Sequence, residues 1–449
     1  MFTKKLITCG LSPNLEFQDV ALAFQLLFSP HQYKLGEYAF KGESWFKEKF
    51  SVKFAYSFAS GREAEYAIFS SLDIKKGDEV IVQAFTCAAV IFPILAFGAK
   101  PVYVDIDKNT YSLDLSDLEQ KISNKTKAVI VQHTFGIPAD IEKIKIIAKK
   151  KNLFVIEDCA HVIGGKVENK LLGTFGDAAF FSFGRDKAVS SVFGGIAVTN
   201  NKSIGEKLKS IQANSSYPSS LWIAQQLLHP ILTWIVLLLF RMSPLLGKIM
   251  IGILKNSRIL SSPVNYWEQT SEVKQFPNAL ALLCLSQLSR IDRFNKRRVE
   301  IYNLYRQHLQ KIASISKDIK FPEHDAYFLR IPIRVKEKNE LPRKNLRGIP
   351  NGQVLLSASS SQPADEVFAR KNKFIQIFKK DLIYLGDWYS YIIDPKGSAE
   401  RVKYRKGECT VAEKTSTEIV NLPCNPTLKD EDVERVLQSI DRFYENERV

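Results

Sequence analysis

The chain has 449 residues, of which 45% are hydrophobic and 25% charged, so it can bury a large core, and a disordered chain is excluded. Six scattered cysteines without a Cys-x-x-Cys pair or metal-ligand spacing predict no disulfide framework and no metal site, and they are typical of a reducing cytosol. The formal charge of +15 indicates an anionic partner, and without zinc-finger or recognition-helix spacing we expect an anionic substrate or membrane surface and no nucleic acid.

The N-terminal part carries two helix signals. The first twenty residues contain no sustained apolar stretch, so we do not expect secretion. Residues 14–29 indicate a helical arm, which we expect to pack on the smaller of two domains. Further along, Ser60 and Gly61 precede the helix-like run 62–72. A helix that begins there offers free N–H groups to an anion.

Polar residues follow two short, apolar, β-rich runs in the middle of the chain. Residues 153–157 and 178–183 indicate buried parallel strands, and open α/β sheets bind ligands where such strands end. The residues that follow these runs are Asp158, His161, Ser182 and Lys187. In pyridoxal phosphate chemistry a lysine forms a Schiff base and a buried aspartate keeps the pyridine nitrogen protonated, roles that suit Lys187 and Asp158. The ordinary alternatives are a helix-capping aspartate and a solvated lysine.

The next segment is unusually apolar. Residues 210–240 contain no charged residue, and residues 221–240 are long enough in principle to cross a bilayer. Gln225, His229 and Thr233 recur every fourth residue, with Gln226 beside them, so a helix here would carry one polar stripe.

A second, shorter helix follows the Ser243–Pro244 signature, and residues 216–262 together predict a helical hairpin. We expect it to insert partway into one leaflet, with basic residues at the lipid headgroups. Those residues are Arg241, Lys248, Lys255 and Arg258. An additional domain or subunit interface and a true membrane span are the alternatives.

The remaining chain indicates a small α/β domain. Residues 278–312 show one long helical period, residues 327–335 and 381–384 are typical of strands, and residues 430–444 indicate a closing helix. Residues 340–353 are loop-like.

Several of these segments resemble the DegT/DnrJ/EryC1/StrS family of sugar aminotransferases. Residues 58–161 and 173–187 carry the strongest likeness, and residues 279–309 and 419–440 a weaker one. The resemblance implies the α/β fold type I of pyridoxal-phosphate-dependent transferases, with a mainly parallel seven-stranded sheet between helices and a smaller C-terminal α/β domain. We therefore expect an N-terminal arm and large domain in residues 1–270, with the hairpin inserted, and a small domain in residues 271–449.

The resemblance also implies residue roles, carried over position by position. Lys187 would be the Schiff-base lysine, five positions after Ser182, which would bind the cofactor phosphate. Asp158 would pair with the pyridine nitrogen. His161 would stand near the phenolic oxygen of the cofactor.

Three further positions would contact the cofactor. Gly61 and Arg62 occupy the phosphate turn of the family, where Arg62 replaces threonine and either contacts the phosphate or points outward. Cys87 replaces the aromatic ring that relatives often stack on the cofactor.

Two other departures concern substrate contacts. The usual Gly-Glu-Gly-Gly loop reads Val192, Phe193, Gly194 and Gly195. The Asn-Tyr-Arg segment that relatives send into the neighbouring subunit is missing near residues 273–276.

We therefore expect a pyridoxal-phosphate-dependent aminotransferase that moves an amino group, usually from glutamate, to a keto sugar on a nucleotide or a lipid carrier. The resemblance implies a homodimer that serves polysaccharide or glycan synthesis, and we expect it in the cytoplasm, with the hairpin at the cytoplasmic membrane face. The alternatives are a sugar dehydratase, in which histidine would replace Lys187, and a non-catalytic regulatory protein.

Overall fold

The computed structural model describes residues 4–257, 272–315, 319–322, 326–336 and 363–447. The predicted loop at 340–353, the end of the predicted hairpin at 258–262 and Arg258 lie outside these ranges.

The strands are β1 (Ile7–Thr8), β2 (Phe54–Phe58), β3 (Glu79–Gln83), β4 (Thr86–Cys87), β5 (Lys100–Val104), β6 (Thr126–Gln132), β7 (Phe154–Asp158), β8 (Lys166–Val167), β9 (Lys170–Leu171), β10 (Ala178–Ser182), β11 (Gly195–Thr199), β12 (Ile319–Lys320), β13 (Arg330–Val335), β14 (Ile383–Tyr384), β15 (Ile393–Asp394) and β16 (Ile419–Pro423).

The helices are α1 (Phe17–Leu27), α2 (Tyr38–Phe50), α3 (Gly61–Ser71), α4 (Ala88–Ala96), α5 (Leu115–Lys121), α6 (Ile141–Lys150), α7 (Lys202–Asn214), α8 (Ser220–Met242), α9 (Pro244–Ser257), α10 (Asn278–Leu288), α11 (Ile291–Ile315), α12 (Pro363–Lys380), α13 (Ser398–Arg401), α14 (Thr410–Glu418) and α15 (Asp430–Asn446). Two 3₁₀ turns cover Pro30–Gln32 and Thr134–Gly136.

A seven-stranded sheet organises the large part of the fold. Its order is β2-β11-β10-β7-β6-β3-β5, and β11 runs antiparallel to both of its neighbours while the other pairs are parallel. Val80 and Val82 pack into one apolar layer, whereas Ile81 packs into the layer on the opposite face. Because both faces are buried, the strands are apolar runs, as is typical of parallel sheets. The predicted fold class is confirmed.

The C-terminal part contains a smaller antiparallel sheet, with order β12-β13-β16. The predicted strands at 327–335 and 381–384 are shorter, since β13 begins at Arg330 and β14 has two residues. The predicted long helix at 278–312 is two helices, with a break at Ser289 and Arg290. The division of domains at residue 270 stays a prediction.

The N-terminal arm lies on two different parts of the fold. Residues of β1 pair with β14, and Lys5 forms an ion pair with Asp432 of α15, so the first strand does join the C-terminal part. The helix α1 instead packs on α8 and α10, where Asp19 pairs with Arg290. Because α10 and Arg290 lie in residues 271–449, α1 contacts the predicted small domain as well as the hairpin, and the expected place of the helical arm stays a prediction.

The apolar segment forms the predicted helical hairpin. α8 and α9 pack on each other and meet at Ser243, which is the C-cap residue of α8. By length and composition α8 could cross a membrane, and 44% of its most apolar window is buried inside the protein. Its buried residues include Gln226, His229 and Thr233, so the polar stripe faces the body of the protein.

Candidate active site

Two neighbouring parallel strands bring the predicted acid and hydroxyl to one edge of the large sheet. β7 ends at Asp158 and β10 ends at Ser182, and Asp158 lies opposite Phe180 in their register. His161 and Lys187 lie on the loops that follow these strands. The structure therefore brings together the four residues predicted from these two segments, at the edge where α/β sheets bind ligands.

The acid at this edge is buried and has a second carboxyl group nearby. Asp158 is 3% exposed, and its Oδ1 accepts the Ala160 N–H at 2.9 Å. Burial raises the pKa of Asp158 above its ordinary value, while the Ala160 N–H and the Lys187 charge counteract part of that increase. Burial, and then the Asp158 charge, raise the pKa of Glu65 well above its usual range. The larger increase at Glu65 favours its neutral form, so of the two carboxyl groups Asp158 is the easier to ionise.

The amine of Lys187 pairs with no acid among the residues that the structure describes. Within the part of the chain that the structure describes, its Nζ has no hydrogen bond or ion pair, and it lies 4.6 Å from the ring centroid of Trp388. The backbone is held firmly, because Asn14 Nδ2 donates to the Lys187 carbonyl at 2.7 Å and Arg298 donates to Asn14 Oδ1 at 3.0 Å. A fixed backbone with an unpaired amine suits a nucleophile.

His161 is held as a neutral ring. Its Nδ1 accepts the Phe135 N–H at 3.1 Å, so its proton is assigned to Nε2, which lies 3.2 Å from Tyr389 Oη. Burial lowers the pKa of His161 well below its ordinary value, and the charges of Lys187 and Arg330 lower it further. The imidazole is therefore a hydrogen-bond donor and a flat packing surface at neutral pH.

The N-terminus of α3 makes a close cradle with the end of β10. Ser60 caps the helix by accepting the Glu63 N–H at 3.2 Å. A Cβ on Gly61 would lie 2.7 Å from Ser182 Cβ, so only glycine fits there. The Nε of Arg62 is buried and has no hydrogen-bond partner within the described ranges. First-turn amides have no partner within a helix, so this cradle can receive an anion.

Cys87 lies in the same neighbourhood. It ends β4, which pairs with β15, and it is half-buried. Burial raises the pKa of its thiol to about 11, with opposing contributions from the Lys187 and Arg62 charges. The thiol is therefore neutral and offers a small packing surface.

Residues that the sequence did not single out close the site from the C-terminal part. Arg330 is 4% exposed, its guanidinium lies 3.6 Å from the ring centroid of Trp388, and it pairs with Asp186 at 3.0 Å. Trp388 also stacks on His161, with centroids 5.0 Å apart. Asp394 follows on β15, where burial raises its pKa to about 7. In the sequence, the signal for these residues was limited to the aromatic run after Asp387, and that run matches no known motif.

The loop that departs from the family pattern packs against the hairpin. Val192 adopts a left-handed backbone with φ 71°, and the ring of Phe193 lies 5.2 Å from that of Trp222 in α8. The segment that lacks Asn-Tyr-Arg ends at Phe276, whose ring packs on Phe183 at 6.0 Å. Apolar contacts thus replace the expected polar ones.

A buried group of potential metal ligands beside the sheet is engaged in hydrogen bonds. His133, Glu157 and Cys159 lie together, and all three are buried. Glu157 accepts the N–H groups of Gly173, Phe175 and Gly176 at 2.7–2.8 Å, in addition to facing His133 Nε2 at 3.1 Å. The arrangement therefore orders the loop after β9.

The donor set fits pyridoxal phosphate. An anion cradle with an orphaned, buried Arg62 Nε stands at one end, and a buried carboxylate at Asp158 suits a protonated ring nitrogen. The unpaired amine of Lys187 suits the aldehyde.

Comparison with known proteins agrees with this chemistry. The model of the DegT/DnrJ/EryC1/StrS aminotransferase family matches residues 18–225, 261–354 and 355–441. The unmatched stretch at 226–260 contains most of the hairpin.

Two curated relatives match nearly the whole chain. A protein named GDP-perosamine synthase from Escherichia coli O157:H7 is 29% identical over 432 residues, which cover 96% of this chain and 97% of the relative. A protein named dTDP-3-amino-3,6-dideoxy-alpha-D-galactopyranose transaminase from Aneurinibacillus thermoaerophilus is 28% identical over 432 residues, with the same coverage. Among solved structures, the PLP form of a putative sugar aminotransferase from Streptococcus pneumoniae is 18% identical, has a TM-score of 0.70, and is matched over 99% of this chain and 98% of that one.

Proposed function

Because the chain belongs to the DegT/DnrJ/EryC1/StrS aminotransferase family, whose members depend on pyridoxal phosphate, we propose that it transfers the amino group of glutamate to a nucleotide-activated keto sugar. The names of the two relatives that match nearly the whole chain support a nucleotide sugar as the acceptor class.

We assign the cofactor to the edge of the large sheet. Pyridoxal phosphate, when bound, supplies an aldehyde that condenses with amines and a ring that accepts electron density. Gly61, Arg62 and Ser182 would hold the phosphate, and Asp158 would hold a proton on the ring nitrogen. His161 and Cys87 would pack beside the ring.

Lys187 would carry the proton transfers. Its Nζ would take a proton from the α-carbon of the amino donor in the first half-reaction, and in the second it would deliver a proton to the sugar carbon that becomes the amine-bearing one. The unpaired state of Nζ supports this assignment, since an ion-paired ammonium would be a weak base.

Arg330 would orient the donor. Its guanidinium is buried against Trp388, which faces the Lys187 amine, and in the described part of the chain its Nε has no hydrogen-bond partner. A buried arginine in this position suits the carboxylate of an amino acid.

The observation that carries the proposal is the unpaired Lys187 amine in a site that also holds Asp158 and the anion cradle. We would add pyridoxal phosphate to the purified protein, reduce it with borohydride, and map the modified peptide by mass spectrometry. We expect the label on Lys187, its loss in Lys187→Ala, and no change in Lys170→Ala, whose ammonium lies over Phe175. A label on another lysine would overturn the assignment.

The transfer itself is tested with ¹⁵N-glutamate and a panel of nucleotide keto sugars. We expect one sugar to gain a labelled amine with wild-type protein and with Lys170→Ala, and none with Lys187→Ala. Dehydration of the sugar without incorporation of nitrogen would contradict the proposal and favour the dehydratase alternative.

We further infer a cytoplasmic homodimer that serves glycan synthesis and contacts the membrane peripherally through residues 216–262. The family resemblance supports the dimer and the glycan role, and the exposed apolar side chains of α8 and α9 support the membrane contact. Light scattering of the detergent-free protein should give the mass of two chains. A mass of one chain would contradict the dimer.

A further inference from the structure

The outward side of the hairpin is apolar along both helices. On α8 the exposed residues Ile235, Leu238 and Met242 are 38%, 43% and 61% exposed and follow helical spacing. On α9, Leu245 and Ile249 are 65% and 50% exposed. The inward side of α8 buries apolar residues together with the polar stripe, so the hairpin is apolar on both sides, unlike an ordinary surface helix pair.

The helix α1 has a second apolar stripe that faces away from the protein. Its inner stripe, which includes Val20 and Ala23, is buried. The opposite stripe contains Phe17 and Phe24 of the helix and its C-cap residue Phe28, which are 68%, 55% and 71% exposed. Helices of soluble proteins seldom expose such rows of large aromatic side chains.

These two apolar stripes adjoin each other. The ring of Phe17 lies 6.0 Å from the ring of Trp234 in α8, and Trp234 precedes the exposed Ile235. Among the described residues, eighteen large hydrophobic side chains are exposed, and eleven of them belong to α8, α9, α1 or the α1 C-cap. We call this surface, formed by the outward residues of α1, α8 and α9, the α1–hairpin face.

The exposed charges on the hairpin part of this face have one sign. The sequence contains no Asp or Glu between Glu206 and Glu268, whereas Arg241 and Lys248 are exposed on the hairpin. At the start of α1 the two acids are both in ion pairs, since Asp19 and Glu16 pair with Arg290 and Glu16 also pairs with Arg293. An apolar face with a basic rim matches the boundary between acyl chains and anionic headgroups.

We propose that the α1–hairpin face docks the protein onto an anionic phospholipid leaflet, with Phe17, Phe24 and Phe28 of the N-terminal arm entering the interface beside the hairpin. This inference rests on the membrane contact proposed above and extends it to the arm and to the lipid class.

Two other occupants fit the charges and the packing less well. A second copy on a two-fold axis would place the basic rim of one copy against that of the other, which is repulsive. A membrane span would require α8 to leave the protein, although eight of its residues, spaced between Ile223 and Phe240, are buried.

Vesicle flotation of the full-length protein loaded with pyridoxal phosphate tests the proposal. Vesicles would contain phosphatidylcholine alone or with about a third phosphatidylglycerol, at about 0.1 M and 1 M salt. We expect flotation with the anionic vesicles and a loss at high salt. Equal binding to both vesicle types would refute the anionic assignment, and binding to neither would refute membrane docking.

Variants separate the arm from the hairpin. We expect the double variant Phe24→Ser with Phe28→Ser to lose about tenfold or more in vesicle affinity, because two exposed aromatic rings no longer enter the interface. We expect Met242→Ser with Ile249→Ser to behave similarly. The matched control is Ile146→Ser, which removes an apolar side chain that is 57% exposed on α6.

The outcomes are distinguishable. If the arm variant floats as well as the wild-type protein and only the hairpin variant loses flotation, the proposed role of the arm is refuted. If the hairpin variant floats as well as the wild-type protein, the proposed membrane contact through residues 216–262 is refuted. If both variants change the mass in sedimentation while wild-type protein never floats, a second copy occupies the face and the proposal is overturned. Labelled amino transfer and cofactor colour, measured in parallel, report on the aminotransferase independently.

Discussion

Gly61→Ala is expected to damage the phosphate cradle by steric overlap alone. The added Cβ would lie 2.7 Å from Ser182 Cβ and 3.2 Å from its Cα, so the nearest atoms belong to the rigid base of a side chain and to the backbone. Van der Waals contact between carbons needs about 3.5–4 Å, so α3 and β10 must separate by roughly 1 Å. Overpacking of this kind typically destabilises a protein by about 1–3 kcal/mol.

The same displacement moves the first amides of α3 away from the anion. We expect a loss of about 1.4–2.8 kcal/mol in cofactor binding, which corresponds to a roughly ten- to hundredfold increase in Kd for pyridoxal phosphate. Gly42→Ala in α2 is the matched control, because its new Cβ has no neighbour within 4 Å. We expect that variant to be slightly stabilised, by about 0.5 kcal/mol, as for alanine in a helix.

The assay combines chemical denaturation of the apoprotein with a spectroscopic titration of pyridoxal phosphate. Because the clash is a property of the polypeptide, the loss of stability should appear without the cofactor. If Gly61→Ala and Gly42→Ala unfold at the same denaturant concentration and bind the cofactor within twofold of each other, the cradle has been misassigned.

Three further variants test electrostatics and buried polar groups. Burial raises the pKa of Asp394 in the folded protein to about 7, from an ordinary value near 4, so the free energy of unfolding of the wild type falls as pH rises from 4 to 7. In denaturant titrations, we expect the free energy of unfolding of Asp394→Asn to increase by about 2 kcal/mol relative to that of the wild type between pH 5 and pH 8. A difference that stays constant with pH would contradict the raised pKa. Arg330→Gln should raise the KM for glutamate about tenfold or more with a smaller change in kcat, since it removes a charge-assisted bond to the donor, whereas an unchanged KM would assign Arg330 a purely structural role. Glu157→Gln should lower the free energy of unfolding by about 3 kcal/mol in urea, because an amide NH₂ would face buried donors, and unchanged stability would show that this hydrogen-bonded group is dispensable.

The sequence predicts the part of the site that depends on local pattern. Asp158 and Ser182 end short apolar runs, and such runs become neighbouring buried strands whose ends meet at one edge. The family resemblance adds Lys187, His161 and the α3 turn. The roles of these residues stay predictions until the labelling and binding experiments are done.

The site residues that come from the C-terminal part of the chain could not be predicted in this way. Arg330 and Trp388 reach the site through tertiary packing, and Asp394 does so because β15 pairs with β4 across some three hundred residues. No periodicity in one segment encodes such a pairing. Glu65 lies on a predicted helix, but its burial beside Asp158 depends on how that helix packs on the sheet.

Helix boundaries and helix partners were also decided by tertiary contacts. The break between α10 and α11, at Ser289 and Arg290, contains neither glycine nor proline. There the Arg290 side chain pairs with Asp19 of α1. The polar stripe of α8 was visible in the sequence, although its burial against the protein, rather than exposure to water, required the fold.

The pairing of β1 with β14 has a consequence for biosynthesis. A ribosome must add some 376 residues after Ile7 before its partner Ile383 exists, which takes roughly 20–75 s at ordinary elongation rates. During that interval β1 has no strand to pair with, while the apolar hairpin has already been synthesised. We therefore expect newly made chains to depend on chaperones, and an N-terminal affinity tag to impair maturation more than a C-terminal one.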